Sequence, residues 1–377
     1  MIRYKRVRSR RGGSEVTATI LGPGPGDTFD VWFRATGTRL AAEPEAFAAL
    51  GLPVAMRHGV GLQVPGKVTR GFLDGLDGWQ RHFGAWLPGS LTSVTVTAKT
   101  RRPGARRPGV AAFFTGGVDS FYTALRHRED IDALVYVWGF DVALDGDPGL
   151  RADVAEGVHA AAAELGLPLV EIETNLKDWS NRHDAVWGTT YHAVALAAIA
   201  HLLAGEFGEV LMGSTYTYRD LFAWGSTPIT DPLLGSDRMV LTHDGCEADR
   251  VERIALLADS PTAMRHLRVC WENRDARYNC GECTKCVRTM IALRICKALD
   301  RCETLPDLTM EAVHGLTHPM VAVVARLVEL VDHLRRNGDD DELLEACEAV
   351  LAAQDPAGVR WDRDWEQVMP LLFGPPR

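Results

Sequence analysis

Between Val110 and Ser214 the chain alternates short apolar runs with longer stretches of helical periodicity. That alternation constrains the fold more than any other feature. The runs "GVAAFF", "ALVYVWGF", "PLVEIET" and "EVLMGS" suit buried strands. In the first of them apolar residues follow one another without the polar alternation of a half-exposed sheet, as in parallel strands covered on both faces. Between them lie "DSFYTALRHRE", "GLRADVAEGVHAAAAELG" and "TTYHAVALAAIAHLLAG", which read as helices. Strands linked through helices require right-handed crossovers. The expected class is therefore α/β, with a doubly wound parallel sheet.

Other composition shifts divide the chain. Residues 1–100 alternate β-rich runs ("EVTATIL", "TFDVWFRAT", "GLQVPGKV", "SVTVTA") around one helical patch, "EPEAFAALGLPVAMRH", and predict an α+β accessory domain. "KTRRPGARRPG" reads as a linker. The α/β domain is expected over 109–294, and a helical region over 295–377 ("MVAVVARLVELVDHLRR", "DELLEACEAVLAA"). The net charge of −9 argues against a surface built for nucleic acid. Basic clusters at Arg3 to Arg11 and Arg101 to Arg107 read as solvated faces or linkers. Arginine dominates the basic residues, 35 against 6 lysines, so an arginine can stand where chemistry usually employs lysine. No apolar run is long enough to span a bilayer, and none follows the basic start. The expectation is a cytoplasmic chain with neither membrane nor nucleic acid as partner.

The first apolar run breaks into Thr115-Gly116-Gly117-Val118-Asp119-Ser120 and passes straight into a helix. Glycines let a backbone approach an anion closely, and free N–H groups at a helix N-terminus hold it. Thr115 and Ser120 supply hydroxyls; Asp119 suits a Mg²⁺ ion bridging to phosphate. A tight left-handed turn capped by Asp119 is the plainer alternative. Neither GxxxxGK[ST] nor GxGxxG is present.

Four of the eight cysteines, Cys270, Cys280, Cys283 and Cys286, are spaced C-x9-C-x2-C-x2-C. That pattern suits a tetrahedral Zn²⁺ site. CxxCxxC spacing also serves a [4Fe–4S] cluster, and CxxC a redox disulfide. Cys296 and Cys302 read as packing residues.

With these two motifs together, the region from Val110 to Arg294 resembles the PP-loop (N-type ATP pyrophosphatase) family, with SGGxDS as its loop. It is most similar there to 7-cyano-7-deazaguanine synthase-like proteins, which carry a late C-G-x-C-x-x-C-x-R motif and a structural zinc. The resemblance implies an ATP-dependent ligase: a substrate carboxylate or amide oxygen attacks the α-phosphorus, pyrophosphate leaves, and ammonia or an amine displaces AMP. It assigns Thr115, Gly116, Gly117, Val118, Asp119 and Ser120, with Val137, Trp138, Gly139 and Gly213, to ATP. It assigns Arg219, Asp220, Ser226, Asp231, His243 and Asp244 to a small-molecule substrate. Arg250, neighboured by Arg253, falls where relatives place a lysine on the pyrophosphate, so the catalytic set is Asp119, Ser120 and Arg250. The implied cofactors are ATP, Mg²⁺ and Zn²⁺, and the implied assembly is a homodimer. No glutaminase domain is recognisable, so nitrogen would come from free ammonia or a partner. Two other functions fit the motifs: PP-loop sulfur transfer to a base or tRNA through a cysteine outside the metal set, and a catalytically silent nucleotide-binding module.

Overall fold

The computed structural model describes residues 1–316 and 321–353. The strands are β1 (Arg3–Arg10), β2 (Glu15–Leu21), β3 (Thr28–Thr36), β4 (Leu62–Val68), β5 (Val96–Thr100), β6 (Gly109–Phe113), β7 (Ala133–Trp138), β8 (Leu169–Thr174), β9 (Phe207–Gly213) and β10 (Val240–Asp244). The α-helices are α1 (Pro44–Arg57), α2 (Arg70–Trp86), α3 (Val118–Arg126), α4 (Pro148–Leu165), α5 (Leu176–Arg182), α6 (His192–Leu202), α7 (Arg250–Ala258), α8 (Pro261–His266), α9 (Thr284–Ile295), α10 (Met310–His314), α11 (Val321–Asn337) and α12 (Asp341–Ala353).

Eight strands form one sheet in the order β1-β2-β3-β8-β7-β6-β9-β10. From β8 to β10 every pairing is parallel, while β1, β2 and β3 extend it antiparallel. The class is α/β, a mostly parallel sheet flanked by helices. From β6 the chain moves outward through β7 and β8, then returns to add β9 and β10 on the other side. Strand order therefore reverses between β6 and β9, and open α/β sheets bind ligands beyond the carboxyl ends of such strands.

Several elements depart from the sequence expectation. The first hundred residues do not close on themselves: β3 pairs with β8 from Phe33↔Thr174 to Thr36↔Glu171, leaving only β4 and β5 in a separate two-stranded sheet. The basic stretch Arg3 to Arg11 supplies β1, a mostly exposed edge strand with a register shift between Lys5 and Arg8. Within the linker, Arg101 is anchored by Glu45 (2.9 Å) and Asp237 (2.8 Å). The helix expected over "TTYHAVALAAIAHLLAG" opens with a π-turn, Trp187–Tyr191, before α6. Of the expected helical tail, 317–320 and 354–377 lie outside the described residues.

Two compact units divide the chain. The first comprises 1–115, 123–146 and 162–247 and holds both sheets. The second comprises 116–122, 147–161 and the chain from Ala248 onward. In the first, α1 packs on α6, and the Tyr191 hydroxyl donates to the Leu50 carbonyl at 2.6 Å. Helix α6 is apolar nearly all round because it is buried nearly all round. In the second, α7 packs on α9 and α11, and α12 on α10 and α11. Among the described residues no helix is long and apolar enough to cross a membrane.

Gly139, which follows β7, has φ +97°, and a Cβ there would lie 2.2 Å from the Thr174 carbonyl oxygen. Its identity is thus dictated by the β7–β8 approach, whatever else it touches. Gly139→Ala must push a pair of bonded strands apart and occupy a left-handed conformation. The expected cost is about 2 kcal/mol or more, read as a lowered midpoint in urea unfolding.

Candidate active site and metal centre

Within the second unit, Gly116 to Tyr122 carry the glycine loop into α3. Gly116 has φ +74°, a left-handed conformation that glycine adopts without penalty. Its carbonyl accepts from the Arg268 backbone N–H at 2.8 Å. The Gly117 carbonyl accepts from the Phe121 N–H (2.9 Å) and the Ser120 hydroxyl (3.0 Å), closing the first helical turn. Val118 is buried beneath that turn. Thr115, in the first unit, is exposed just ahead of the glycines.

Asp119 meets two guanidiniums. Its Oδ1 accepts from Arg253 Nη1 at 2.7 Å and from Arg250 Nη1 at 3.1 Å. Burial opposes ionisation of Asp119, but Arg250 and Arg253, with Lys285 behind them, hold its carboxyl below the usual range. Both arginines come from the start of α7, which Asp249 and Glu252 cap reciprocally. The Arg250 N–H donates to Glu329 at 2.7 Å, and Arg326 pairs with Glu329 at 3.4 Å. Burial pulls the Arg250 pKa down; Asp119 opposes that, while Arg326 and Arg253 add to it. Arg250 Nε is buried without a hydrogen-bond partner. Arg250 and Arg253 thus share one oxygen of Asp119, while Glu329 holds the Arg250 backbone and pairs with Arg326.

The four motif cysteines converge, also within the second unit. Their sulfurs all lie within 4.8 Å of one another, with Cys270–Cys283 at 3.9 Å and Cys280–Cys286 at 3.8 Å. Zn–S bonds of ~2.3 Å in a tetrahedron put sulfurs ~3.8 Å apart, so the site fits zinc. Gly281, at φ +75°, turns the chain between two ligands, and the Cys283 N–H donates to Cys280 Sγ at 3.2 Å. Hydrogen bonds from Cys283 and Cys286 pull the Cys270 thiol toward thiolate, and the same contact pushes Cys283 up to about 12. A metal cation binding here would deprotonate the thiols and offset the repulsion among four thiolates. Asn279 braces the knot: its Oδ1 accepts from the Val269 and Cys270 N–H groups, and its Nδ2 donates to the Leu267 and Thr304 carbonyls.

In the first unit, Val137 and Trp138 lie in β7, with Trp138 Nε1 donating to Glu171 at 2.8 Å, and Gly213 ends β9. The residues expected to line the substrate pocket separate into three places. Ser226, Asp231 and His243 come together: Asp231 Oδ2 accepts from the Ser226 hydroxyl (2.5 Å) and contacts His243 Nδ1 (2.7 Å). Asp244 spends both oxygens inside the fold, on Thr123 (2.7 Å) and His127 (2.9 Å). Arg219 and Asp220 sit on a one-turn helix, paired at 3.3 Å, with Arg219 largely exposed. Two residues the sequence reading passed over join the Asp231 group. His243 also hydrogen-bonds Cys246, whose thiol donates to Ser214 at 3.2 Å. His192, placed by the π-turn near Asp231 and His243, has its Nδ1 buried without a partner. The π-turn is detectable only in three dimensions, although such turns recur at functional sites.

Comparison of the chain with family models, curated proteins and solved structures finds no match. The functional reading therefore stands on these residues.

Purified protein should carry one equivalent of zinc by elemental analysis, without the visible absorbance of an iron–sulfur cluster. Cys283→Ser should lose the metal and unfold at lower temperature. A second expectation concerns pH. Burial disfavours charge on His243, but hydrogen bonds to Asp231 and Cys246 outweigh it and push its pKa up to about 9. A folded pKa above the unfolded value of about 6.5 means stability fully present below about pH 6.5 and lost as pH rises through about 9. Urea midpoints across that window should fall for the wild type, and His243→Gln should flatten the profile.

Proposed function

We propose that the chain is an ATP-dependent ligase that adenylates a carboxylate or amide oxygen of a small molecule, releases pyrophosphate, and passes the acyl or imidoyl group to ammonia or an amine with loss of AMP. The observation that carries this reading is the glycine loop opening α3 beside Asp119, with the guanidiniums of Arg250 and Arg253 gathered on one of its oxygens. Backbone N–H groups and guanidiniums already oriented in a dry site stabilise charge as it gathers on a leaving pyrophosphate, without reorganisation during the reaction. The loop amides from Gly117 onward hold the diphosphate, and Arg250 takes up its growing charge. Asp119 is a hard oxygen donor suited to Mg²⁺, which when bound neutralises phosphate charge. The pairing of Asp119 with both arginines keeps the carboxylate ionised for that role. The four-cysteine centre has a full set of protein ligands and no open position, the mark of a structural rather than a catalytic zinc site. Nitrogen arrives as free ammonia or from a partner.

Sulfur transfer is the second reading, favoured by one observation: Cys246, outside the metal set, contacts His243, itself held by Asp231. A thiol beside an oriented imidazole is the arrangement that activates a cysteine nucleophile.

Exchange of labelled pyrophosphate into ATP, with pools of carboxylic acids and amides, tests the main reading. AMP and pyrophosphate are the expected products. Asp119→Ala should lower exchange by ~10²–10³-fold and, by stranding the buried Arg253, lower the melting temperature too, so exchange is read well below that temperature. Cys246→Ser should leave exchange intact. ADP as product overturns the ligase reading, whereas product formation that fails only in Cys246→Ser favours sulfur transfer.

A further inference from the structure

Arg268 is 4% exposed, yet no carboxylate neutralises it among the described residues. Its guanidinium has five donors. One bond reaches Asn273 Oδ1 at 2.6 Å, the ring of Tyr278 lies 5.9 Å from its Cζ, and Nε is buried with no partner. A guanidinium cannot shed its proton to escape such a site, so the charge persists and awaits an anion. The backbone of the same residue donates to the Gly116 carbonyl, which fixes Arg268 against the glycine loop. Its main chain is held from behind, because Asn279 bonds the flanking residues Leu267 and Val269 next to the metal ligand Cys280.

We propose that Arg268 is a phosphate-binding residue, gripping the diphosphate end of the nucleotide at the Gly116 loop and positioned by Asn273 and the cysteine knot. The proposal rests on the ATP reading above, but assigns a residue that no motif marks. Arginine suits this task through its planar fork, which matches phosphate oxygens two at a time. Lysine at the same position would offer charge without the fork.

Calorimetric titration with inorganic pyrophosphate and Mg²⁺, and separately with AMP, tests it on the full zinc-loaded chain. Arg268→Gln should weaken pyrophosphate roughly 10- to 100-fold and leave AMP affinity unchanged. Arg268→Lys should fall between, and Asn273→Ala should weaken pyrophosphate by a smaller factor through loss of positioning. Thermal melts of each variant separate binding from folding: a residue that serves only the fold would lower the melting temperature and leave pyrophosphate affinity intact. Wild-type binding that Arg268→Gln leaves undiminished overturns this assignment while sparing the ligase reading. Equal loss of AMP and pyrophosphate also overturns it. A wild-type chain that binds no pyrophosphate sinks both.

Discussion

Arg253 is 1% exposed and its charge is met by Asp119 at 2.7 Å. That ion pair is the constraint around which the second unit is arranged. A guanidinium this deep is tolerable only beside a carboxylate. The carboxylate comes from the first turn of α3, so α7 and the glycine loop are bound to one another by a charge neither can abandon. Arg250, at the first position of α7, shares the same oxygen of Asp119 while its backbone is held by Glu329 of α11. Three segments distant in sequence are thus linked in a chain, α3 to α7 through Asp119 and α7 to α11 through Glu329.

The cysteine knot belongs to the same construction. Lys285 stands between the ligands Cys283 and Cys286 on α9 and adds to the field that keeps Asp119 ionised. Asn279 and Cys280 hold the strip that presents Arg268 to Gly116. The four-cysteine centre in this way fixes the backbone that carries Lys285 and Arg268.

The alternation after Val110 was readable because each buried strand had to be apolar and each crossover had to be a helix. The four cysteines were readable because ligand spacing is local. Other features left no local trace. Strand β10 lies within a polar stretch and gains its place by pairing with β9. The join between β3 and β8 depends on register between segments more than a hundred residues apart, which no periodicity encodes. Helix α2 carries four glycines and holds through Trp79 stacked on Phe83 at 3.9 Å, both fully buried. At the site, Asp119 and Arg250 could be nominated from motif position, whereas Arg268 and Cys246 became visible only through their neighbours. Asp244 looked like a pocket residue by sequence, yet Thr123 and His127 occupy its oxygens.

The rim of the large sheet has a consequence of its own. Strand β1 carries Arg3, Lys5, Arg6, Arg8 and Arg10, and its ladder is broken by an irregularity with Arg6 at φ 54°. An unpaired border normally invites a foreign strand to dock and continue the ladder. Here two molecules approaching by that border would press like charges together across a kinked backbone. Growth of the sheet into a fibre is therefore opposed on this side by electrostatic repulsion and broken register, in addition to the cover that β4 gives the start of the strand, where Ile2 bridges Leu62.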